Sequence, residues 1–176
     1  MSYSAPAYGL VWRATNSINT IAQSTTNAPS TGFANTSVLP SADLAVFVPV
    51  RVTRTSVVRR LFAAVVDNTG NIDVGLYSAT GTRLVSSGKT AAASDFTADV
   101  TDTTIGPGCY YLAYVADNTT LTVVCYLRSA PLPTAVGVLT QQLGAGAALP
   151  ATATFAITQA LGYIPALAAI TGTVIA

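Results

Sequence analysis

Asn71-Ile72-Asp73-Val74-Gly75-Leu76-Tyr77-Ser78-Ala79-Thr80-Gly81-Thr82-Arg83-Leu84-Val85 decides the fold class. Ile72, Val74 and Leu76 alternate with Asp73, Gly75 and Tyr77, the period of two that sends successive side chains to opposite faces of a strand. Ser78-Ala79-Thr80-Gly81 is turn chemistry, because glycine accepts the positive φ that tight turns need. Leu84 then alternates with Arg83 and Val85. Strand, turn, strand is the unit of an antiparallel sheet.

The same grammar extends outward from this stretch. Asp67-Asn68-Thr69-Gly70 is a turn, and before it Val57 to Val66 is an apolar run that only Arg59 and Arg60 interrupt, which fits a strand buried on both faces. From Leu44 to Thr53, Val46, Val48, Val50 and Val52 make one face, and Phe47, Pro49, Arg51 and Thr53 the other. That predicts a strand with one buried face. Pro49 has no N–H for a ladder, so it places the strand at an edge or a bulge. Downstream, Gly106-Pro107-Gly108 breaks the chain. Cys109 to Ala116 and Leu121 to Leu127 then predict a hairpin around Asp117-Asn118. Short strands at such intervals predict an all-β, antiparallel β-sandwich of jelly-roll type.

Composition bounds the function. Of 176 residues, 9% are charged and 51% hydrophobic, against about 25% charged in an average domain. That is too little charge to cover an isolated globule, so part of the surface is expected to be buried against other chains. All acids are Asp, and Lys89 is the single lysine. The net charge of +1 gives no electrostatic case for nucleic acid. Met1-Ser2-Tyr3-Ser4 lacks the basic start of a signal peptide. The apolar stretch from Leu161 to Ala176 contains Pro165 and is shorter than the about 20 residues of a membrane span, so no membrane partner is expected.

Three zones follow: residues 1–40 as an N-terminal arm, 41–130 as the β-sandwich domain, and 131–176 as a C-terminal assembly segment. The arm is rich in Ser, Thr, Asn and Ala, with Tyr8, Leu10, Trp12, Ile18, Ile21 and Phe33 as anchors. After Arg128 no charged residue occurs. Such a segment is too apolar for a solvated tail and is broken by Pro131, Pro133, Pro150 and Pro165. It reads as ordered and buried, preferably against a neighbour. Removing it after Pro131 is expected to leave the sandwich folded and to abolish assembly, with Leu139, Leu143, Phe155, Ile157, Leu161, Tyr163, Ile164 and Leu167 as the apolar anchors.

Catalytic and metal chemistry find few candidates. With no histidine, the commonest general base and transition-metal ligand is missing. Two cysteines alone cannot build a structural zinc site. Cys109 and Cys125 are read as two buried free thiols, since the expected hairpin places Cys109 opposite Tyr126. Asp95, Asp99 and Asp102 could pair as two acids flanking a bond, but among Ser, Thr and Ala they fit turn duty better. Ala63-Ala64-Val65-Val66-Asp67-Asn68-Thr69 echoes Ala113-Tyr114-Val115-Ala116-Asp117-Asn118-Thr119; two hairpins sharing a good turn explain this more simply than a Ca²⁺ site, whose oxygen cage is not evident. No catalytic residue, cofactor or metal is therefore assigned. Arg51, Arg54, Arg59 and Arg60 fit either a solvated face or pairing across a subunit contact. Tyr110, Tyr111, Tyr114 and Tyr126 fit core and rim packing, with a sugar-stacking platform as the alternative.

The stretches Phe47-Val48-Pro49-Val50-Arg51-Val52, Asn71 through Gly88, Gly106-Pro107-Gly108-Cys109-Tyr110-Tyr111-Leu112-Ala113-Tyr114 and Asp117-Asn118-Thr119-Thr120 together resemble a β-sandwich module of tailed-bacteriophage structural proteins. The resemblance covers less than half of the chain and identifies a module. It implies a non-enzymatic virion component, a capsid decoration (cement) protein or a head or tail surface protein, assembled in the bacterial host cytoplasm. Its expected partners are copies of itself, most simply a trimer, and the major capsid or tail proteins. The alternative from another class is a carbohydrate-binding module for the host surface.

Overall fold

The computed structural model describes residues 11–13, 17–19, 35–67, 69–127, 137–146 and 148–172. They form an all-β protein, with no helix among them. Fifteen strands run in order: β1 Val11–Arg13, β2 Ser17–Asn19, β3 Asn35–Val38, β4 Leu44–Val52, β5 Ser56–Ala63, β6 Val65–Asp67, β7 Asn71–Ser78, β8 Arg83–Ser86, β9 Thr90–Ala91, β10 Phe96–Ile105, β11 Gly108–Ala116, β12 Thr122–Leu127, β13 Leu139–Gln142, β14 Tyr163–Pro165 and β15 Leu167–Gly172. Three antiparallel sheets result. Their orders are β1-β2-β15-β5-β10, then β13-β4-β11-β7-β8 with β9 also on β7, and β14-β12-β3 with β6 also on β12.

The main core follows from the alternation of β4, β7 and β11. Val46, Val48, Val50, Val74, Leu76, Leu112 and Tyr114 project from the six-stranded sheet into one apolar cluster. Val58, Leu61, Phe96, Ile105, Leu167 and Ala169 enter it from the five-stranded sheet, and Val123, Cys125, Tyr163 and Ile164 from the third. At the seam between those two sheets the chain crosses twice, at Ala64 between β5 and β6 and at Ala166 between β14 and β15. The Ala64 N–H donates to the Ala166 carbonyl at 3.0 Å, the Ala166 N–H to the Val124 carbonyl at 2.9 Å, and the Val124 N–H to the Ala64 carbonyl at 2.7 Å.

Several expectations need correction. β4 is buried on both faces from Leu44 to Val48, because the outer face of its sheet is covered as well. β13 pairs β4 only from Leu44 to Phe47, so Pro49 faces Tyr111 on one side and has no ladder partner among the described residues on the other. Val57 to Val66 is not one doubly buried strand. It splits at Ala64, and Arg59 and Arg60 are both exposed. A bulge explains the pair: Arg60 faces Ile170 while Val58 faces Thr171, which leaves Arg59 unmatched.

The hairpin of Cys109–Ala116 with Leu121–Leu127 does not form. β11 pairs β4 and β7, whereas β12 pairs β3, β6 and β14 in another sheet. The Asp117-Asn118 turn therefore carries the chain between sheets. Cys109 and Cys125 are not joined in a disulfide, and only Cys125 is buried, whereas Cys109 is exposed.

The division at residue 131 follows composition and not the sheets. β13 adds to β4, β14 to β12, and β15 lies between β2 and β5. The described strands of the charge-free segment are thus woven into the sheets of its own chain. At the other end, Trp12 pairs Ile18 in backbone register, and β2 adds to β15. Tyr8, Leu10, Ile21 and Phe33 lie outside the described residues. No helix among the described residues is long and apolar enough to cross a membrane.

Candidate functional site

The outer face of the six-stranded sheet carries Ala45, Phe47, Tyr77, Ala113 and Val115, all buried. What buries them is the charge-free strap that crosses the sheet, described over residues 143–146 and 148–159. Leu149 and Ala153 join that cluster, with Leu143 and Phe155 packed against it. Phe47 meets Tyr77 edge-on at 5.3 Å and Phe155 at 5.4 Å, and the Phe155 ring lies 4.4 Å from that of Tyr111. Aromatic pairs in such geometry add to the burial of their area.

The strap is held by one row of side chains on β7 and β8. Asp73, Gly75 and Tyr77 share the outward face of β7 by strand period, and Arg83 opens β8. Asp73 is 1% exposed. One of its carboxylate oxygens accepts the Leu149 N–H at 2.9 Å and the other the Ser87 hydroxyl at 3.1 Å. The Arg83 guanidinium donates to the Leu149 carbonyl, and the Tyr77 hydroxyl to the Pro150 carbonyl at 2.6 Å. Gly75 leaves the space Leu149 fills: a Cβ there would stand 2.8 Å from Leu149 Cδ1 and 3.3 Å from the Val85 carbonyl oxygen. Burial pushes the Asp73 carboxyl above its ordinary range, against the lowering pull of the Leu149 N–H, the Ser87 hydroxyl and the Arg83 charge. Burial likewise raises the Tyr77 hydroxyl far above its usual range.

The strap also closes both edges of this sheet. At β8 the Arg83 N–H donates to the Ala151 carbonyl at 2.9 Å and the Ala153 N–H to the Gly81 carbonyl at 2.8 Å. At β13 the Thr140 N–H donates to the Ala156 carbonyl at 2.9 Å and the Thr158 N–H to the Thr140 carbonyl at 3.3 Å. Open strand edges invite pairing with other chains, and one segment covers the two of them.

A second knot joins the two echoed loops. The Asp117 carboxylate accepts the Asn71 backbone N–H at 2.8 Å, the Asn71 amide at 2.6 Å and the Asn118 amide at 3.1 Å. Lys89 Nζ lies 3.6 Å from it. The Thr69 and Thr120 hydroxyls bond at 2.9 Å, and the Asn118 amide donates to the Thr69 carbonyl at 3.0 Å. Desolvation opposes ionisation of Asp117, but the Asn71 and Asn118 donors and Lys89 together hold it below the ordinary carboxylate range. The carboxylate is thus occupied by donors, and Asp67 is tied through its own N–H to the Thr122 hydroxyl at 2.9 Å. No group of three metal-ligating side chains gathers among the described residues.

The other candidates do not converge on chemistry. Asp99 binds Arg60 at 2.5 Å and Asp102 binds Arg59 at 3.3 Å, on exposed surface. Asp95 occupies a turn at φ 49°. Arg51 is exposed within the last residues of β4, and Arg54 at the turn that follows. Tyr114 is buried, with its hydroxyl 2.9 Å from that of Tyr163. Tyr111 lies against Phe155, and Tyr110 donates to the Gly106 carbonyl at 3.0 Å. The Tyr126 side chain lies outside the described residues. The clasp of Asp73, Tyr77 and Arg83 on Leu149-Pro150 was not anticipated from sequence. Its visible signal was an acid and a tyrosine sharing one strand face with a glycine.

No protein-family model, no curated protein and no solved structure matches the chain.

Proposed function

We propose that the chain is a structural subunit of a tailed-phage particle, a capsid decoration protein or a head or tail surface protein, acting by adhesion to its neighbours. In this reading the six-stranded sheet and the other two sheets are the layers of a jelly-roll-like β-sandwich, since one apolar cluster lies between them. The observation that carries the reading is the use made of the resembling stretch. Asp73, Gly75, Tyr77 and Arg83 serve to hold a strap over the sheet, which is architecture and not catalysis. A low charge content supports it, because uncharged surface is inexpensive to desolvate in a contact. The partners are copies of itself, as a homo-oligomer such as a trimer, and the major capsid or tail protein. Its place is the virion. A carbohydrate-binding role lacks comparable support, because Tyr114 is buried and Tyr111 is covered by Phe155.

The test adds the purified chain to phage particles that lack it. Saturable coating, with particles that resist heat or chelators better, is the expected result. Particles that stay bare, together with specific binding on a glycan array, would replace this reading by the carbohydrate module.

A further inference from the structure

We propose that Asp73 is a proton-operated latch: uncharged, it holds the strap on the six-stranded sheet, and on losing its proton it lets the strap lift.

The carboxyl is enclosed without a charge to pair with. The strap above it carries no charged residue. On β11 the residue opposite it is Val115, followed on that face by Ala113 and Tyr111. On its own strand the titratable neighbour is Tyr77, whose hydroxyl donates to the Pro150 carbonyl. Lys89, just before β9, lies against Asp117. Arg83 of β8 is the cation that bears on Asp73, but its guanidinium donates to the Leu149 carbonyl. Among the described residues no salt bridge reaches Asp73. A buried acid so placed keeps its neutral form, because the ion would lose its water and gain no partner.

The Ser87 hydroxyl counts the protons. It lies 3.1 Å from Asp73 Oδ1 and 3.1 Å from the Gly88 carbonyl, and it accepts the Val74 N–H at 2.9 Å. A hydroxyl has one proton to give. With Asp73 ionised, the carboxylate and the Gly88 carbonyl compete for it. With Asp73 protonated, the acid donates to Ser87 and Ser87 donates to Gly88. The other carboxyl oxygen still accepts the Leu149 N–H at 2.9 Å. Every contact is then a hydrogen bond.

Ionisation reverses the balance. The closed site favours the neutral acid and water favours the ion, so lifting the strap hydrates the carboxylate. Burial raises the Asp73 carboxyl above its ordinary value. The grip is therefore full below the ordinary value and is lost as pH rises through the folded one. A lifted strap uncovers Phe47 and Tyr77 and the β8 edge at Gly81 and Arg83, while the core between the sheets stays closed.

The experiment is hydrogen exchange of single amides, read by NMR from mildly acidic to mildly alkaline pH and corrected for the intrinsic pH dependence of exchange. The amides of Leu149, Ala153 and Arg83 all bond across the strap contact. They should lose about tenfold in protection per pH unit between the ordinary and the folded value of Asp73, the slope of a single proton. Those of Val124 and Ala166 should hold. The carboxyl carbon shift of Asp73 in the unmodified chain should titrate over the same range. Asp73→Asn offers one acceptor to the Leu149 N–H and one donor to Ser87, as the neutral acid does, and should make strap protection independent of pH. An Asp73 that ionises at the ordinary carboxylate value, or strap amides whose protection ignores pH, overturns the proposal. So does a loss shared by strap and core amides together, or a pH dependence that survives in Asp73→Asn.

Discussion

Asp73 and Arg83 grip one residue, Leu149, by its two ends: the carboxylate takes its N–H and the guanidinium its carbonyl. Each bond satisfies a main-chain group that the strap would otherwise bury unpaired. Asp73→Ala should therefore lower stability by about 1–3 kcal/mol, the penalty for orphaning a buried polar group. Denaturant midpoints check it; an unchanged midpoint would mean that the Leu149 N–H finds water instead.

Gly75 and Leu149 are sterically coupled. Gly75→Ala forces Leu149 aside and should cost about 1–3 kcal/mol, as overpacking does. Leu149→Ala should cost about 2–5 kcal/mol through its cavity. In the double variant the new methyl enters the vacated space, so the loss should be smaller than the sum of the two. Strict additivity would show that the two side chains do not compete.

Asp73 and Asp117 titrate in opposite senses. Burial raises the folded pKa of Asp73, so its contribution is full below the unfolded value and is lost as pH rises through the folded one. For Asp117 burial acts upward, but the Asn71 and Asn118 donors and Lys89 win and lower the folded pKa. Its contribution is present above the unfolded value and lost as pH falls through the folded one. Asp117→Asn should flatten the acid limb of the stability profile, and Asp73→Asn should remove the decline above the ordinary carboxylate range. Urea midpoints at stepped pH read both slopes.

Gly70 has φ 77°, and a Cβ there would overlap the Asn118 amide and lie 2.5 Å from an Asp117 carboxylate oxygen. Gly70→Ala should lose about 1–3 kcal/mol to backbone strain and eject Asn118 as well, so it should exceed Asn118→Ala. Thermal midpoints of the two variants decide the order.

Truncation after Pro131 should unfold the protein. It removes β15 from between β2 and β5 and bares Phe47, Tyr77 and Val115. Circular dichroism of the shortened chain should show lost β signal or precipitation; a retained β spectrum would restore the boundary that composition indicated.

Sequence carried the strand character of 44–52 and 71–86 because alternation is local. It missed the partners of β11 and β12 because a turn joining two strands does not oblige them to pair, and Asp117-Asn118 serves to change sheets. The charge-free composition of the tail pointed to packing, but packing on its own chain and on a neighbour leave the same composition. Arg59 and Arg60 broke the period of β5 through a bulge that only its neighbours in the sheet define. The clasp was hidden because Asp73 and Leu149 are far apart in sequence, and nothing local marks a carboxylate that serves a distant N–H.

The crossing at Ala64 and Ala166 bears on how the molecule comes apart. Two covalent spans pass through one seam, so neither of the sheets that meet there can peel away while the other stays whole. Local fraying is expected at the outer strands, and the slowest-exchanging amides should include those of Ala64, Val124 and Ala166, exchanging together. Mechanically the seam is a rivet, and a pull on either sheet loads both.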